Sequence, residues 1–247
     1  MHRRTARIAG IWFVITFISI AALPLYHSVL HDHQFIVGGG GDTRVELGAL
    51  VEIITAIAGI GTAVTLYPIL RRQSEGLALG YVALRVVEST IITVGIVSLL
   101  AVVTLRQDLA DGATNGASLI LSGRSLVAVH DATFLLGPAF CAAIGNGLML
   151  GYLMFRSGLV PRRFAQFGMA AGALALLTAI LVLFGAYDQV SSTSAILTLP
   201  EAVWELSLGI YLIAKGFRSD ASVFSREGGA DDLALGMGTT GAQVAGA

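Results

Sequence analysis

The stretch LGYVALRVVESTIITVGIVSLLAVVTL, residues 79–105, decides the fold class. Its 27 positions include only two charged residues, Arg85 and Glu88. Because a helix rises about 1.5 Å per residue, about 20 apolar residues suffice to cross the roughly 30 Å hydrocarbon core of a bilayer. The stretch therefore predicts a transmembrane helix that carries two charges in its interior.

Five further stretches of the chain have similar length and composition. With the first, the predicted spans are 8–25, 47–70, 79–105, 126–155, 164–186 and 199–217. The N-terminal span could be a signal peptide, but its apolar run is long, no good cleavage pattern follows it, and five more spans come after it. The prediction is an all-α integral membrane protein, with six transmembrane helices within residues 1–217 and a disordered cytoplasmic tail at 218–247.

The composition of the 247-residue chain supports this class. Hydrophobic residues make up 55% of it and charged residues 13%, whereas soluble domains have about a quarter charged residues. Its 15 basic and 16 acidic residues exclude the overall basic field expected of a nucleic-acid-binding protein. Its one cysteine, Cys141, excludes an internal disulfide and a cysteine-cluster metal site. The lipid bilayer is thus the one partner that composition predicts.

Orientation follows from the basic residues, because positively charged connections stay on the cytoplasmic side. The N-terminus, the second and fourth connections and the C-terminal segment hold most of the arginines and the single lysine. The first, third and fifth connections hold only Arg44, Arg106 and Arg124. Both termini are therefore predicted to be cytoplasmic.

Several short motifs occur along the chain in a distinctive order. They are ARIAG at 6–10, AVTLYP at 63–68, RRQSEG at 71–76, RVVE at 85–88, HD at 130–131, GP at 137–138 and WE at 204–205. With these motifs the chain resembles, from Thr5 to Phe217, the bacterial membrane family known as domain of unknown function 4386. The resemblance implies a multi-pass protein of the bacterial inner membrane. It supplies no activity, substrate or catalytic residue.

Ionisable residues inside the predicted spans are the candidate ligand-binding residues, since each costs about 2.5 to 3.5 kcal/mol to insert at a helix centre. They are Glu52 in the second span, Arg85 and Glu88 in the third, His130 and Asp131 in the fourth, and Glu205 in the sixth, which Glu201 precedes by one turn. The i, i+3 spacing of Arg85 and Glu88 predicts an ion pair. Counted from the predicted outer ends, Glu52, His130 and Glu205 lie about 6 to 9 Å below the outer hydrocarbon surface. These residues and Asp131 predict a polar cavity that opens to the outer face.

Carboxylates in one buried layer would repel one another if all were ionised. Shared protons, a divalent metal such as zinc, or a bound cationic headgroup would compensate. In the metal hypothesis His130, Glu52 and Glu205 are the ligands and leave one position for water, with Asp131 orienting a histidine or acting as a general base. Three functions remain open: a cavity for a small ligand, ion or lipid headgroup, a metal-dependent intramembrane lipid hydrolase, or a non-catalytic scaffold.

Other features concern the outer mouth and helix packing. His27 and His31 share a helix face, and with His33 they could add metal ligands at the outer side, although a solvated segment explains them equally. Trp204 is predicted in the outer aromatic belt. Two pairs of small residues, Gly147 with Gly151 and Gly168 with Gly172, predict a close crossing of the fourth and fifth spans or a contact in a homo-oligomer.

Overall fold

The computed structural model describes residues 2–32, 34–38, 41–112 and 115–224, and this part of the chain is helical without a strand. Six of its helices are long and apolar enough to cross a membrane, which confirms the predicted fold class. They are α1 (His2–His31), α2 (Asp42–Leu70), α3 (Glu75–Ala110), α4 (Gly116–Ser157), α5 (Arg162–Leu183) and α6 (Ser192–Ala214).

The helices extend beyond the apolar runs that predict them. α4 has 42 residues, and α6 begins at Ser192, seven residues before the predicted start of its span. The α6 start is capped by Ser191, whose hydroxyl accepts a hydrogen bond from the backbone N–H of Ser194 at 3.2 Å. A serine at this position satisfies one of the otherwise unpaired N–H groups of the first turn. Hydropathy therefore locates the apolar part of the helix, whereas capping determines where the helix begins.

Two of the helices are irregular in their middle. α1 passes through a short 3₁₀ segment at Phe17–Ala21. α4 widens into π-helix at Leu135–Cys141, which contains Pro138, and again at Ala143–Leu150. Proline lacks the N–H group that a regular α-helix needs at this point. The widened turns are noteworthy because π-helical segments often occur at functional sites.

The six helices pack in a closed ring in chain order. Each contacts the next along the chain, and α6 returns to contact α1. One apolar cluster, around Phe13, Leu66, Leu150 and Leu208, fills the half of the bundle that holds both ends of the described chain. We call this half cytoplasmic and the opposite half outer, following the orientation predicted from the basic residues. A second fills the outer half, around Tyr26, Val45 and Leu99. The buried charged residues lie within and between these apolar layers.

The first and last described residues lie at the same end of the bundle, as an even number of crossings requires. The ring of His2 lies 4.2 Å from that of Phe224, measured between centroids. Residues 218–224, which the sequence analysis assigned to the disordered tail, pack on the bundle instead. Ala221 and Val223 are buried there, and the Ser222 hydroxyl donates to the Ser157 carbonyl at 3.1 Å. Residues 218–224 therefore pack with the bundle, because these small apolar side chains complete the same cluster as Phe13. Residues 225–247 lie outside the described part of the chain, and the predicted tail there stays a prediction.

A local ion pair fixes the turn that leads into this segment. Arg218 donates two hydrogen bonds to the carboxylate of Asp220, at 3.0 and 2.6 Å. This hydrogen bonding holds the pKa of the exposed Asp220 carboxyl below its usual range. The pair therefore remains charged at neutral pH and orients the chain after α6.

The predicted orientation can be tested with single cysteines. In a Cys141→Ala background, Ser118→Cys places a thiol on an exposed position at the outer end of α4, and Gly76→Cys places one at the opposite end of the bundle. Because basic connections stay in the cytoplasm, a membrane-impermeant maleimide added to intact cells should label only Ser118→Cys. Gly76→Cys should react only after lysis, and the reverse pattern would contradict cytoplasmic termini.

Candidate functional site

A buried ion pair lies near the middle of α3. The guanidinium of Arg85 contacts the carboxylate of Glu88 at 2.5 Å, which confirms the predicted pairing. Arg85 Nε also donates to the carbonyl oxygen of Gly59 on α2 at 3.4 Å. A Cβ atom at position 59 would lie 2.8 Å from the same guanidinium. Glycine at 59 therefore allows the arginine to approach the backbone of α2.

Hydrogen bonds connect α3, α4 and α6 beside this pair. The Tyr81 hydroxyl donates to Asn146 Oδ1 at 3.1 Å, and Asn146 Nδ2 donates to Glu205 Oε1 at 2.7 Å. Tyr81 and Asn146 are almost completely buried. Asn146 lies in the second π-helical segment of α4, so the widened helix carries the amide that joins the other two helices.

Glu201 lies one turn before Glu205 on α6 and is 6% exposed. Among the described residues, neither of its carboxylate oxygens has a hydrogen-bond partner. The carboxylate packs against the backbone of α4, since a Cβ added at Gly147 would lie 2.9 Å from its Oε1. We call Tyr81, Arg85, Glu88, Asn146, Glu201 and Glu205 the inner cluster. It contains three carboxyl groups and one guanidinium.

A separate polar group, which we call the outer cluster, consists of Tyr26, Glu52 and His130. The Tyr26 hydroxyl donates to Glu52 Oε2 at 2.9 Å. The His130 ring packs edge-on to the Tyr26 ring, with 5.6 Å between centroids. His130 is buried, and its Nδ1 has no hydrogen-bond partner in the described part of the chain. That nitrogen lies 3.6 Å from Asp131 Oδ1, too far for a good hydrogen bond.

The single predicted layer is thus two clusters, and Glu205 does not join Glu52 and His130. Because α6 begins at Ser192, Glu205 lies 13 residues along it, or about 20 Å. The zinc ligand set of His130, Glu52 and Glu205 is therefore not assembled. Among the described residues, no three His, Cys, Asp or Glu side chains are placed to hold a metal ion.

The early start of α6 at Ser192 also changes the depth of Trp204. Its side chain is 0% exposed, and its Nε1 donates to the carbonyl oxygen of Phe164 at 3.1 Å. Phe164 lies in the first turn of α5, next to the short connection after α4. The prediction that Trp204 belongs to the outer aromatic belt was wrong, because the true start of α6 places this residue deep in the bundle.

Asp131 lies at the surface beside the buried His130. Its side chain is 66% exposed and lines a cavity of about 220 Å³ between α1, α3, α4 and the connection that follows α1. The cavity has three charged lining residues, Asp32, Arg124 and Asp131. Its apolar lining includes Val29, Phe35, Ile36, Val102 and Val127. We call this feature the outer cavity.

The histidines at the outer end of α1 are placed as the i, i+4 spacing predicts. The rings of His27 and His31 stack with 4.7 Å between centroids. His31 Nδ1 lies 3.0 Å from the carbonyl oxygen of His27, so one ring nitrogen is already used in the helix. His33, the third candidate, lies outside the described residues.

The fold and the two clusters define a multi-pass α-helical membrane protein with ionisable side chains buried inside its bundle. The family described as domain of unknown function DUF4386 matches residues 8–216, and the chain belongs to that family. The resemblance stated from the sequence motifs is confirmed. Comparisons with curated proteins and with solved structures found no match.

Proposed function

We propose that the protein binds a small ammonium-bearing ligand in the outer cavity. The observation that carries this proposal is the cavity itself, about 220 Å³ in volume, with the carboxylates of Asp32 and Asp131 and the guanidinium of Arg124 in its lining. Two acidic groups and one basic group give the lining a formal charge of −1. A ligand with an ammonium group and an adjacent anionic group would match both signs.

Arg106, a basic residue outside the lining, is paired and does not offset the net negative charge of the cavity lining. Arg106, at the outer end of α3, contacts Asp42 at 2.5 Å and donates to the carbonyl oxygen of Gly38 at 3.2 Å. These contacts hold its guanidinium on the connection before α2. Glu52, which accepts the hydrogen bond of Tyr26 in the outer cluster, adds negative charge when ionised. The negative charge of the lining therefore favours the ammonium end of the ligand beside the two aspartates.

The cavity also limits the size of the ligand. Sites for drug-sized ligands occupy roughly 300 to 1,000 Å³, so the outer cavity suits a smaller molecule or a single headgroup. Its apolar lining offers contacts for a short alkyl segment. An aminoalkyl phosphate fulfils these requirements, either free or as the headgroup of phosphatidylethanolamine, because Arg124 can pair with the phosphate.

The test uses the full-length protein in nanodiscs of phosphatidylcholine, which has no N–H donor on its headgroup. Phosphoethanolamine added to these discs should give saturable heat on isothermal titration. Asp131→Asn should weaken this binding by about tenfold or more, which corresponds to about 1.4 kcal/mol. Asp108→Asn, the same change at an exposed outer residue that does not line the cavity, should leave it unchanged.

A second arm distinguishes the two sources of the headgroup. If the natural ligand is lipid, phosphatidylethanolamine in the discs should compete with phosphoethanolamine, and native mass spectrometry should find it retained by the wild type and lost from Asp131→Asn. Failure of both probes to bind the wild type would refute the proposal. The scaffold hypothesis predicts that failure, so the same titration separates the two.

A further inference from the structure

The inner cluster has an electrostatic imbalance that the outer cavity does not use. We propose that Glu201 and Glu205 hold an exchangeable proton between them, which makes the inner cluster a proton-binding site inside the membrane. This inference does not depend on the amine ligand. It rests on the unpartnered carboxylate of Glu201 and on the charges around it.

The carboxyl groups of the inner cluster differ in their partners. Arg85 is engaged by Glu88 at 2.5 Å. Glu205 accepts one hydrogen bond from the Asn146 amide, which is neutral. Glu201, 6% exposed, has no partner for either carboxylate oxygen among the described residues. Thus the one guanidinium of the cluster is paired, and two more carboxyl groups have no cation of their own.

The carboxyl groups of Glu201 and Glu205 also lie close together along α6. Glu201 and Glu205 are four residues apart on α6, so their side chains lie on one face of the helix. Two ionised carboxylates so close in a medium of low dielectric repel each other strongly. A proton on either residue removes that repulsion. It also gives the pair a hydrogen-bond donor, which neither carboxylate has when ionised.

Polar groups on two neighbouring helices surround the Glu201 and Glu205 pair. α3 contributes Tyr81, Arg85 and Glu88, and α4 contributes Asn146 and, near the ion pair, the Cys141 thiol. Among the described residues, the buried side chains of α5 include no ionisable group. Glu52 on α2, which is partly buried, and the buried Tyr26 on α1 and His130 on α4 belong to the outer cluster. No neighbouring helix therefore supplies the missing positive charge.

Packing favours a proton over a metal ion as that charge. The Glu201 carboxylate lies directly against the α4 backbone, where a Cβ at Gly147 would be 2.9 Å from Oε1 and 3.0 Å from Oε2. Cations such as Na⁺, Mg²⁺ and Ca²⁺ need a shell of several oxygen ligands. A proton needs none and fits between two carboxyl groups that share it.

The test is infrared difference spectroscopy on the full-length protein in nanodiscs. Buffers of about pH 6.5 and about pH 10 are compared, in H₂O and in D₂O, because exposed carboxyl groups are ionised at both. A protonated carboxylic acid has a carbonyl stretch that an ionised carboxylate lacks and that shifts in D₂O. We expect the wild type to show such a band and Glu201→Gln to lose or shift it. Glu75→Gln, which removes an exposed carboxylate at the cytoplasmic start of α3, should retain it.

Each other outcome overturns the proposal. A wild type without an exchangeable carbonyl band between about pH 6.5 and about pH 10, where exposed carboxyl groups are ionised, would mean that no proton is held. A band that survives both Glu201→Gln and Glu205→Gln would assign the proton elsewhere. A band that sodium chloride removes at constant pH would identify a metal cation as the compensating charge. Should Glu201→Gln not fold, Glu205→Gln and the wild-type spectra alone still decide the question.

Discussion

Arg85→Met is expected to lower the free energy of unfolding by about 3 to 5 kcal/mol, the cost of removing one partner of a buried ion pair. Methionine keeps the unbranched, flexible first part of the arginine side chain and removes the guanidinium with its charge. It leaves the Glu88 carboxylate buried without its guanidinium, and it removes the hydrogen bond to the Gly59 carbonyl. The measurement is unfolding of the purified protein in mixed micelles with increasing fraction of sodium dodecyl sulfate, followed by tryptophan fluorescence.

Two companion variants identify the cause. Arg85→Met combined with Glu88→Gln should recover a large part of the lost stability, because an uncharged amide no longer needs a cation. Arg106→Met breaks the partly exposed pair with Asp42 and should cost only about 1 kcal/mol. If Arg85→Met were no more destabilising than Arg106→Met, the buried pair would not be a main determinant of the fold.

Much of the fold could be predicted from the sequence because the bilayer imposes a simple requirement. Apolar runs of about 20 residues must be helices, since lipid offers no hydrogen-bond partner to the backbone. The pairing of Arg85 with Glu88 could also be predicted, because both residues lie on one helix and their spacing alone brings them together. These predictions need no knowledge of which helices are neighbours.

Depth within the bundle was harder to predict. Glu205 was placed in the outer half because the apolar run of its span begins near Leu199, whereas α6 begins at Ser192. The residues between them are hydroxyl-bearing and small as well as apolar, so hydropathy gives them little weight. The serine cap at Ser191 was the available signal. With α6 starting there, Glu205 and Trp204 would have been placed deeper from sequence alone.

Partners on other helices could not be predicted. The Tyr26 hydroxyl donates to Glu52, and the Tyr81 hydroxyl donates to Asn146. Tyrosine in a predicted span is most often an anchor at the membrane interface, so its sequence position does not indicate these bonds. Their roles depend on the order of helices around the ring. Likewise, Glu201 was seen as a residue that opens the sixth span, and its lack of a partner follows only from the packing against α4.

The two clusters are far enough apart to be studied separately. His130 and Asn146, which mark them on α4, are 16 residues apart, or about 24 Å at the rise of a regular α-helix. The π-helical segments of α4 lie mostly between these two residues. A ligand in the outer cavity would act on the outer cluster, through Asp131 beside His130. A proton at the inner cluster would act on Asn146 through Glu205, at the other end of the same irregular stretch.

Gly172→Leu is expected to prevent assembly of the bundle, or to cost more than about 3 kcal/mol if it folds. α4 and α5 meet where Gly147 and Gly172 face each other. A Cβ atom at position 172 would lie 2.5 Å from the Cα of Gly147 and 2.8 Å from its carbonyl carbon. These are backbone atoms, which cannot rotate away as a side chain can. The helices would have to separate, and the packing of Glu201 on Gly147 would be lost with them.

Gly76→Leu is the matched control, because it makes the same chemical change at an exposed position in the first turn of α3. A Cβ there meets nothing within 4 Å, and leucine favours a helix over glycine by up to about 1 kcal/mol. Fluorescence-detected size-exclusion chromatography after heating should show Gly76→Leu as monodisperse as the wild type and Gly172→Leu aggregated or absent. A monodisperse Gly172→Leu with the wild-type melting temperature would contradict the crossing of α4 and α5 at these glycines. The environment assigned to Glu201 would be contradicted with it, because that carboxylate is packed against the same crossing.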